Sequence, residues 1–256
     1  LEQQEFDINF SRTFVHTSCL FSQFPQLRFG FSTRQNGISP EPYGMNLSFS
    51  VGDSETNVQR NRELFFERLN IPLEKLAIQK QIHSNYVRKI STPGIYEQTD
   101  AMYTQEKNIF LCVTVADCMP IFLFDCKENI VAVVHSGWRG CVNEILRTTI
   151  VHLLNEHSID EKNIFCYIGP SAGKCCYEIE SDVASNFSEQ FLTKRNEHKF
   201  LLDMQSFARD ELLQCGVPFQ HIEISNACTI HQKEFFHSYR RDGTLSGRMM
   251  GVLGII

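Results

Sequence analysis

Three short apolar runs stand almost back to back in the middle of the chain, Ile109 to Ala116, Pro120 to Asp125 and Ile130 to His135. Each is rich in Val, Ile and Phe and bounded by polar residues, the pattern of strands buried in a sheet. A helical crossover between parallel strands takes about a dozen residues or more, and these connections are far shorter, so the middle of the sheet is expected to be antiparallel. Around it the chain mixes element types. Gln26 to Thr33, Leu76 to His83, Ile164 to Ile168, Ile222 to Ser225 and Gly251 to Ile256 read as strands, and Glu55 to Leu69 as a mainly charged helix closed before Pro72. Met204 to Cys215 reads as a helix stopped by Gly216. From Cys141 onward, Val142, Ile145, Leu146, Ile150, Leu153 and Leu154 form a stripe at helical period, which predicts one helix ending near His157. The mixture predicts an α/β or α+β domain.

No repeat and no Pro-, Gly- or Ser-rich linker divides the 256 residues, which predicts a single domain over 1–256. Thirty acidic residues against 24 basic ones give a formal charge of −6, with no electrostatic footprint for DNA or RNA. The longest apolar stretches fall far short of the roughly 20 residues that span a bilayer. The opening LEQQEFDINF is acidic and lacks the basic and apolar regions of a signal peptide, so a cytoplasmic location is expected. Ten cysteines at irregular spacing read as reduced thiols rather than a disulfide scaffold, and the adjacent Cys175 and Cys176 as packing residues.

The polar connection Cys126-Lys127-Glu128-Asn129 has the length of a hairpin loop. If these four residues turn, Asp125 faces Ile130 and His135 faces Pro120, two positions from Cys118 on the same face of the sheet. A one-residue slip would send thiol and imidazole to opposite faces. His83, at the end of another strand, is a third donor. Two His and one Cys suit a three-ligand zinc site with an open fourth position, an arrangement that fits catalysis. A buried Cys packing beside hydrogen-bonded histidines explains the same residues equally well, and their spacing alone decides nothing.

The ordered series Asn46-Leu47-Ser48, Val51-Gly52-Asp53, Asn61-Arg62, Gln81-Ile82-His83-Ser84, Thr99-Asp100-Ala101, Ala116-Asp117-Cys118-Met119-Pro120 and His135-Ser136-Gly137-Trp138-Arg139-Gly140 resembles the bacterial laccase-domain family, also called YfiH-type or polyphenol-oxidase-like proteins. Ile168-Gly169-Pro170, Cys175-Cys176-Tyr177-Glu178-Ile179, Cys228-Thr229, Phe236-His237-Ser238-Tyr239-Arg240-Arg241-Asp242-Gly243 and Gly247-Arg248 continue it, so the resemblance runs from about residue 28 to the end. It implies an α+β fold, a single four-layer α/β/β/α domain with mixed, partly antiparallel sheets. It also implies zinc on His83, Cys118 and His135, with copper as an in-vitro occupant, in a monomer or homodimer. The implied activity is phosphorolysis of adenosine, inosine, guanosine or methylthioadenosine, with adenosine deamination beside it. Ser171-Ala172-Gly173-Lys174 departs from the family, whose members often carry a Cys and a Pro there, so no thiol role is carried over to that loop.

Those reactions set demands on residues. Deamination needs a nucleophilic water near neutral pH, which a zinc ion with an open position provides, and Asp117 is the candidate for proton transfer, although it could equally be a strand-end turn residue. Phosphorolysis needs cations and N–H donors for phosphate and for the departing purine, which makes Arg62, Arg139 and Arg248 candidates. Arg139, between Gly137 and Gly140 beside the only Trp, is the strongest of them, whereas Arg62 could be a solvated helix face. Asn46 could read a sugar or base, or cap a turn. Arg240 and Arg241 are set aside as turn residues. Copper oxidation of phenols is disfavoured, because the nine histidines include no H-x-H pair. A metal-independent hydrolase with Cys118 as nucleophile and His135 as base is the alternative enzyme reading. A zinc-stabilised purine-binding protein without turnover is the non-enzymatic one.

Overall fold

The structure, a computed structural model, describes residues 15–157 and 159–256, so the LEQQEFDINF segment lies outside the described residues. The central hairpin has the expected register. Met119–Asp125 pairs antiparallel with Ile130–Ser136, Asp125 facing Ile130 and Pro120 facing His135. Asp125 Oδ1 closes the loop by accepting from the backbone N–H groups of Lys127 (3.0 Å) and Glu128 (2.7 Å), and Asn129 takes a left-handed φ of 53°. Asx turns and αL asparagines are cheap ways to reverse a chain, which is why this polar tetrapeptide fixes the register.

The hairpin lies inside a six-stranded sheet ordered Ile222–Ile224, Ile164–Ile168, Met119–Asp125, Ile130–Ser136, Ala101–Thr104, Val87–Lys89. A second six-stranded sheet is ordered Val15–His16, Leu27–Ser32, Met249–Ile255, Phe110–Val115, Leu76–Lys80, Gly94–Glu97. Both are mixed: Leu76–Lys80 runs parallel to its two neighbours, and Ile164–Ile168 runs parallel to Ile222–Ile224. Glu178–Glu180, Lys199–Leu202 and Leu192–Lys194 make a small antiparallel third sheet.

Strand alternation then builds the layers. Phe122, Phe124, Val131 and Val133 face Leu111, Val113, Met249 and Leu253 of the other sheet in one apolar cluster. Their neighbours Ile121, Leu123, Ala132 and Val134 point the other way, onto Ile145, Leu146, Ile150 and Leu153 of the helix Ile145–His157 and onto Ala208 and Leu212 of Met204–Gln214. On the outer face of the second sheet, Cys112, Met250 and Val252 meet Phe65 and Phe66 of the helix Glu55–Arg68. The order is helix, sheet, sheet, helices. Gly251 lets the two sheets approach, since a Cβ there would sit 2.3 Å from the Phe122 ring. Among the described residues no helix is long and apolar enough to cross a membrane.

The sequence expectations differ from the structure in four places. The three central runs do not form one antiparallel sheet: Phe110–Val115 pairs in the second sheet, and only Met119–Asp125 and Ile130–Ser136 pair with each other. The single helix expected from Cys141 is two, Trp138–Val142 and Ile145–His157, because Glu144 adopts a φ of 54° and redirects the chain. Val142 consequently leaves the apolar stripe and is exposed. The strand expected to reach His83 ends at Lys80. Finally, Val87–Lys89, Gly94–Glu97, Ala101–Thr104 and the third sheet gave no separate signal, because they are three- and four-residue segments and those at sheet edges carry exposed side chains such as Ile95.

Candidate metal centre

Cys118 directly precedes the strand Met119–Asp125, and His135 lies near the end of its antiparallel partner, so the hairpin register brings them together. His83 arrives from the other sheet. Beyond Lys80 the chain is pinned by Gln81, whose Nε2 donates to the Thr114 carbonyl (2.5 Å) and whose Oε1 accepts from Thr114 Oγ1 (3.0 Å). His83 then takes a φ of 61°. One ligand atom from each of His83, Cys118 and His135 lies within 4.8 Å of the others, Cys118 Sγ being 3.8 Å from His83 Nε2. The two imidazoles meet edge to face with centroids 4.9 Å apart.

The residue that assembles this group is Asp100, which is fully buried. Its carboxylate accepts from the backbone N–H groups of Ile82 (3.1 Å), His83 (3.0 Å) and Ser84 (2.7 Å), and from Ser84 Oγ (2.8 Å). It thereby holds the left-handed turn that presents His83. It also lies 2.9 Å from His135 Nδ1. Burial opposes its charge, but the hydrogen bonds from His135 and Ser84 outweigh that and hold the carboxyl down to about 2. An ionised carboxylate can only accept, so Nδ1 carries a proton and Nε2 is the nitrogen turned toward a ligand. Sequence reading placed Asp100 in a motif without a role. Nothing local marked it, because the strand it heads, Ala101–Thr104, is only four residues long.

Burial would also raise the Cys118 thiol. The charge and hydrogen bonding of His135, with help from His83, reverse this and bring it down to about 6. His135 is conversely held well above the ordinary histidine range against burial, by Cys118 and Asp100. A thiolate at neutral pH, an oriented imidazole whose Nε2 proton a bound cation would displace, and a second imidazole on a fixed turn form a donor set that fits one zinc ion. The same thiolate beside an imidazolium also resembles an activated nucleophile.

Glycine at 137 is required here by space alone. A Cβ would lie 2.7 Å from Cys118 Sγ and 3.6 Å from His83 Cδ2. Gly137→Ala is therefore expected to push the thiol out of position and to weaken zinc binding at least tenfold, with the fold retained by circular dichroism. A zinc titration that matches the wild type would show that the sulfur moves at no cost.

His83 and Cys118 line a small cleft with Asp117, Gly137, Trp138, Arg139, Tyr177 and Met204, while His135 is buried. Among the arginine candidates, Arg139 opens on it, and its guanidinium packs over the Trp138 ring at 4.3 Å from the centroid. Arg248 stands behind the rim, bonded to the Ser246 and Gly247 carbonyls at 2.8 and 2.9 Å. Burial lowers its pKa while the charges of Asp117 and Cys118 raise it. Arg62 and Asn46 are not brought to the cleft. Arg62 Nε donates to the Leu47 carbonyl (2.8 Å) beneath the Phe49 ring. Asn46 is fully buried and spends its amide on Ser48, Asp53 and the Arg248 backbone. Asp117, at a φ of 89°, accepts from Thr229 Oγ1 (2.7 Å) and from the Arg240 backbone (2.6 Å). Arg240, set aside on sequence grounds, closes one side by packing over Tyr177 and donating to the Glu178 carbonyl. A larger groove elsewhere is lined by charges that pair with each other, Arg34 with Glu41 and Arg241 with Asp242.

Known proteins bear out the resemblance. The family described as multi-copper polyphenol oxidoreductase laccase matches residues 28–256. A relative from Bacillus subtilis (strain 168), purine nucleoside phosphorylase YlmD, is 30% identical over 243 residues, covering 88% of this chain and 87% of the relative. A purine nucleoside phosphorylase from Bacteroides thetaiotaomicron is 31% identical over 248 residues, covering 90% and 92%. The crystal structure of YlmD from Geobacillus stearothermophilus superposes with a TM-score of 0.89 at 28% identity, over 95% of this chain and 99% of that one. With the family match covering most of its length and the same fold in a solved relative, the chain belongs to the laccase-like, YfiH-type family.

Proposed function

We propose that this chain is a zinc-dependent purine nucleoside phosphorylase, acting as one catalytic unit on adenosine, inosine, guanosine or methylthioadenosine with phosphate. The observation that carries the reading is Arg139 lining the same cleft as His83 and Cys118, the two donors that His135 joins from its buried position. The relatives named above support it. Zinc held by His83, Cys118 and His135 would supply Lewis-acid stabilisation of charge developing at the reacting end of the nucleoside. Arg139 offers a planar fork for phosphate, and stacking on Trp138 keeps that fork at the mouth of the cleft. Asp117, whose carboxylate oxygens accept from Thr229 and Arg240, is the proton-exchange group of this reading. The cleft is narrow, about 70 Å³ against the roughly 300 Å³ of a small ligand pocket, so the purine base extends over its open side. Adenosine deamination to inosine is the secondary activity this donor set supports. Copper oxidation of phenols finds less support, because the two His and one Cys supply a single ion.

Arg139→Ala tests this reading. Adenine release from adenosine with phosphate should fall about 10²- to 10³-fold, the usual cost of removing one charge-stabilising donor, while zinc content stays at the wild-type level. Unchanged phosphorolysis would remove Arg139 from the phosphate site.

A further inference from the structure

Three other thiols converge behind the Asp117 side of the cleft. Cys175, Cys176 and Cys228 are in no disulfide, and their sulfurs lie within 4.8 Å of one another. Cys175 and Cys176 belong to a tight turn in which the Cys176 and Tyr177 N–H groups donate to the Gly173 carbonyl at 3.0 and 2.9 Å. Cys228 comes from a distant segment that bridges to Ser171, the Thr229 N–H donating to the Ser171 carbonyl at 3.0 Å.

We propose that Cys175, Cys176 and Cys228 form a second metal site, for one thiophilic closed-shell cation of the Zn2+ or Cu+ kind. Sulfurs bound to one zinc at about 2.3 Å lie about 3.8 Å apart, a separation the three reach with side-chain adjustment alone. One backbone N–H already faces the sulfurs. The Gly173 N–H donates to Cys228 Sγ at 3.3 Å, and glycine at 173 lets the backbone come so close, since a Cβ there would lie 3.3 Å from Cys228 Sγ and 3.6 Å from Cys175 Sγ. Cys175 is exposed and gives an entry path, whereas Cys228 is buried and anchors the site. A disulfide would join only two of these sulfurs and would use neither the third nor the N–H donor. On binding, each thiol that ligates gives its proton to solvent.

The site would staple the cleft wall. The Ala172 N–H donates to the Asp117 carbonyl (2.8 Å) from one segment, and Thr229 Oγ1 donates to the Asp117 carboxylate (2.7 Å) from the other. A cation shared by Cys175, Cys176 and Cys228 locks both segments around Asp117.

The test is metal stoichiometry on the intact chain, reduced and loaded anaerobically with Zn2+ in one arm and Cu+ in the other. Wild-type protein should hold two equivalents in at least one arm, and a His83→Ala, Cys118→Ala double variant should keep one of them. Cys175→Ser and Cys228→Ser should each lose that remaining equivalent, weakening it at least tenfold. Cys175→Ser, at an exposed position, guards against misfolding of the buried-site variant. With Co2+ as a spectroscopic probe, Cys175→Ser, Cys228→Ser protein should lose about three quarters of the sulfur-to-cobalt charge-transfer intensity, leaving that of Cys118. One equivalent in both arms, a second equivalent indifferent to these substitutions, or a disulfide among the three that survives reduction would overturn the proposal.

Discussion

Alanine at His83, Cys118 or His135 is expected to strip the proposed zinc and, with it, the proposed purine release. Each of the three supplies one donor atom to a group whose members lie within 4.8 Å of one another, and no fourth protein donor of that group is present among the described residues to take over. The loss should exceed the roughly 10- to 100-fold that follows from altering a residue behind a metal ligand. Metal analysis and phosphorolysis assays on the three variants check this together. The set also separates the zinc enzyme from a cysteine-nucleophile hydrolase. In a zinc enzyme, chelation of the wild type reproduces all three variants. In a hydrolase built on Cys118 and His135, chelation does nothing and His83→Ala retains activity. Full zinc occupancy in Cys118→Ala would remove the thiol from the ligand set.

The second large effect is at Asp100. Asp100→Asn keeps the size of the side chain but turns one acceptor into a donor, against four N–H and O–H groups and the His135 ring. Leaving such groups buried and opposed costs about 3–5 kcal/mol, and loss of the orienting carboxylate costs about 10- to 100-fold in zinc affinity. Urea unfolding and zinc titration measure the two separately. The pH dependence has a definite sign. The Asp100 carboxyl is held down to about 2 against an ordinary value of 3.8, so its stabilisation is present above pH 4 and is lost as pH falls through 2. The gap between wild type and Asp100→Asn should therefore close on acidification over that window. A deficit under about 1 kcal/mol at pH 7 would mean that the turn presenting His83 stands without the carboxylate.

How far the sequence could reach is clear from the hairpin. Loop length and strand parity alone placed His135 opposite Pro120 and beside Cys118, because a side-chain period of two leaves little freedom once four polar residues turn. The helix broken at Glu144 was not legible, since periodicity reports which face is apolar and does not report a single left-handed residue. Asp100 and the turn it holds were invisible for a related reason. Their contacts join residues 18 apart through backbone N–H groups, which leave no trace in residue type. Arg62 and Asn46 show the opposite difficulty. Their chemistry suits a nucleoside site, yet the fold spends it on the Leu47 carbonyl and on the loop at Ser48. Arg139 and Arg62 read alike as cations, and only packing distinguishes the one at the mouth of the cleft from the one beneath Phe49. The thiols of Cys175, Cys176 and Cys228 likewise meet only through the bridge at Ser171.

The measurement closest to the central claim is mass spectrometry of the sugar released from adenosine with and without inorganic phosphate. Phosphate is the nucleophile in the proposed reaction. Ribose 1-phosphate and adenine should therefore form in equal amounts when it is present, and adenine release should cease when it is removed, whereas any inosine formed by deamination should be unaffected. Adenine and free ribose appearing at the same rate in both conditions would contradict the account, making the enzyme a hydrolase and leaving Arg139 without a phosphate to hold.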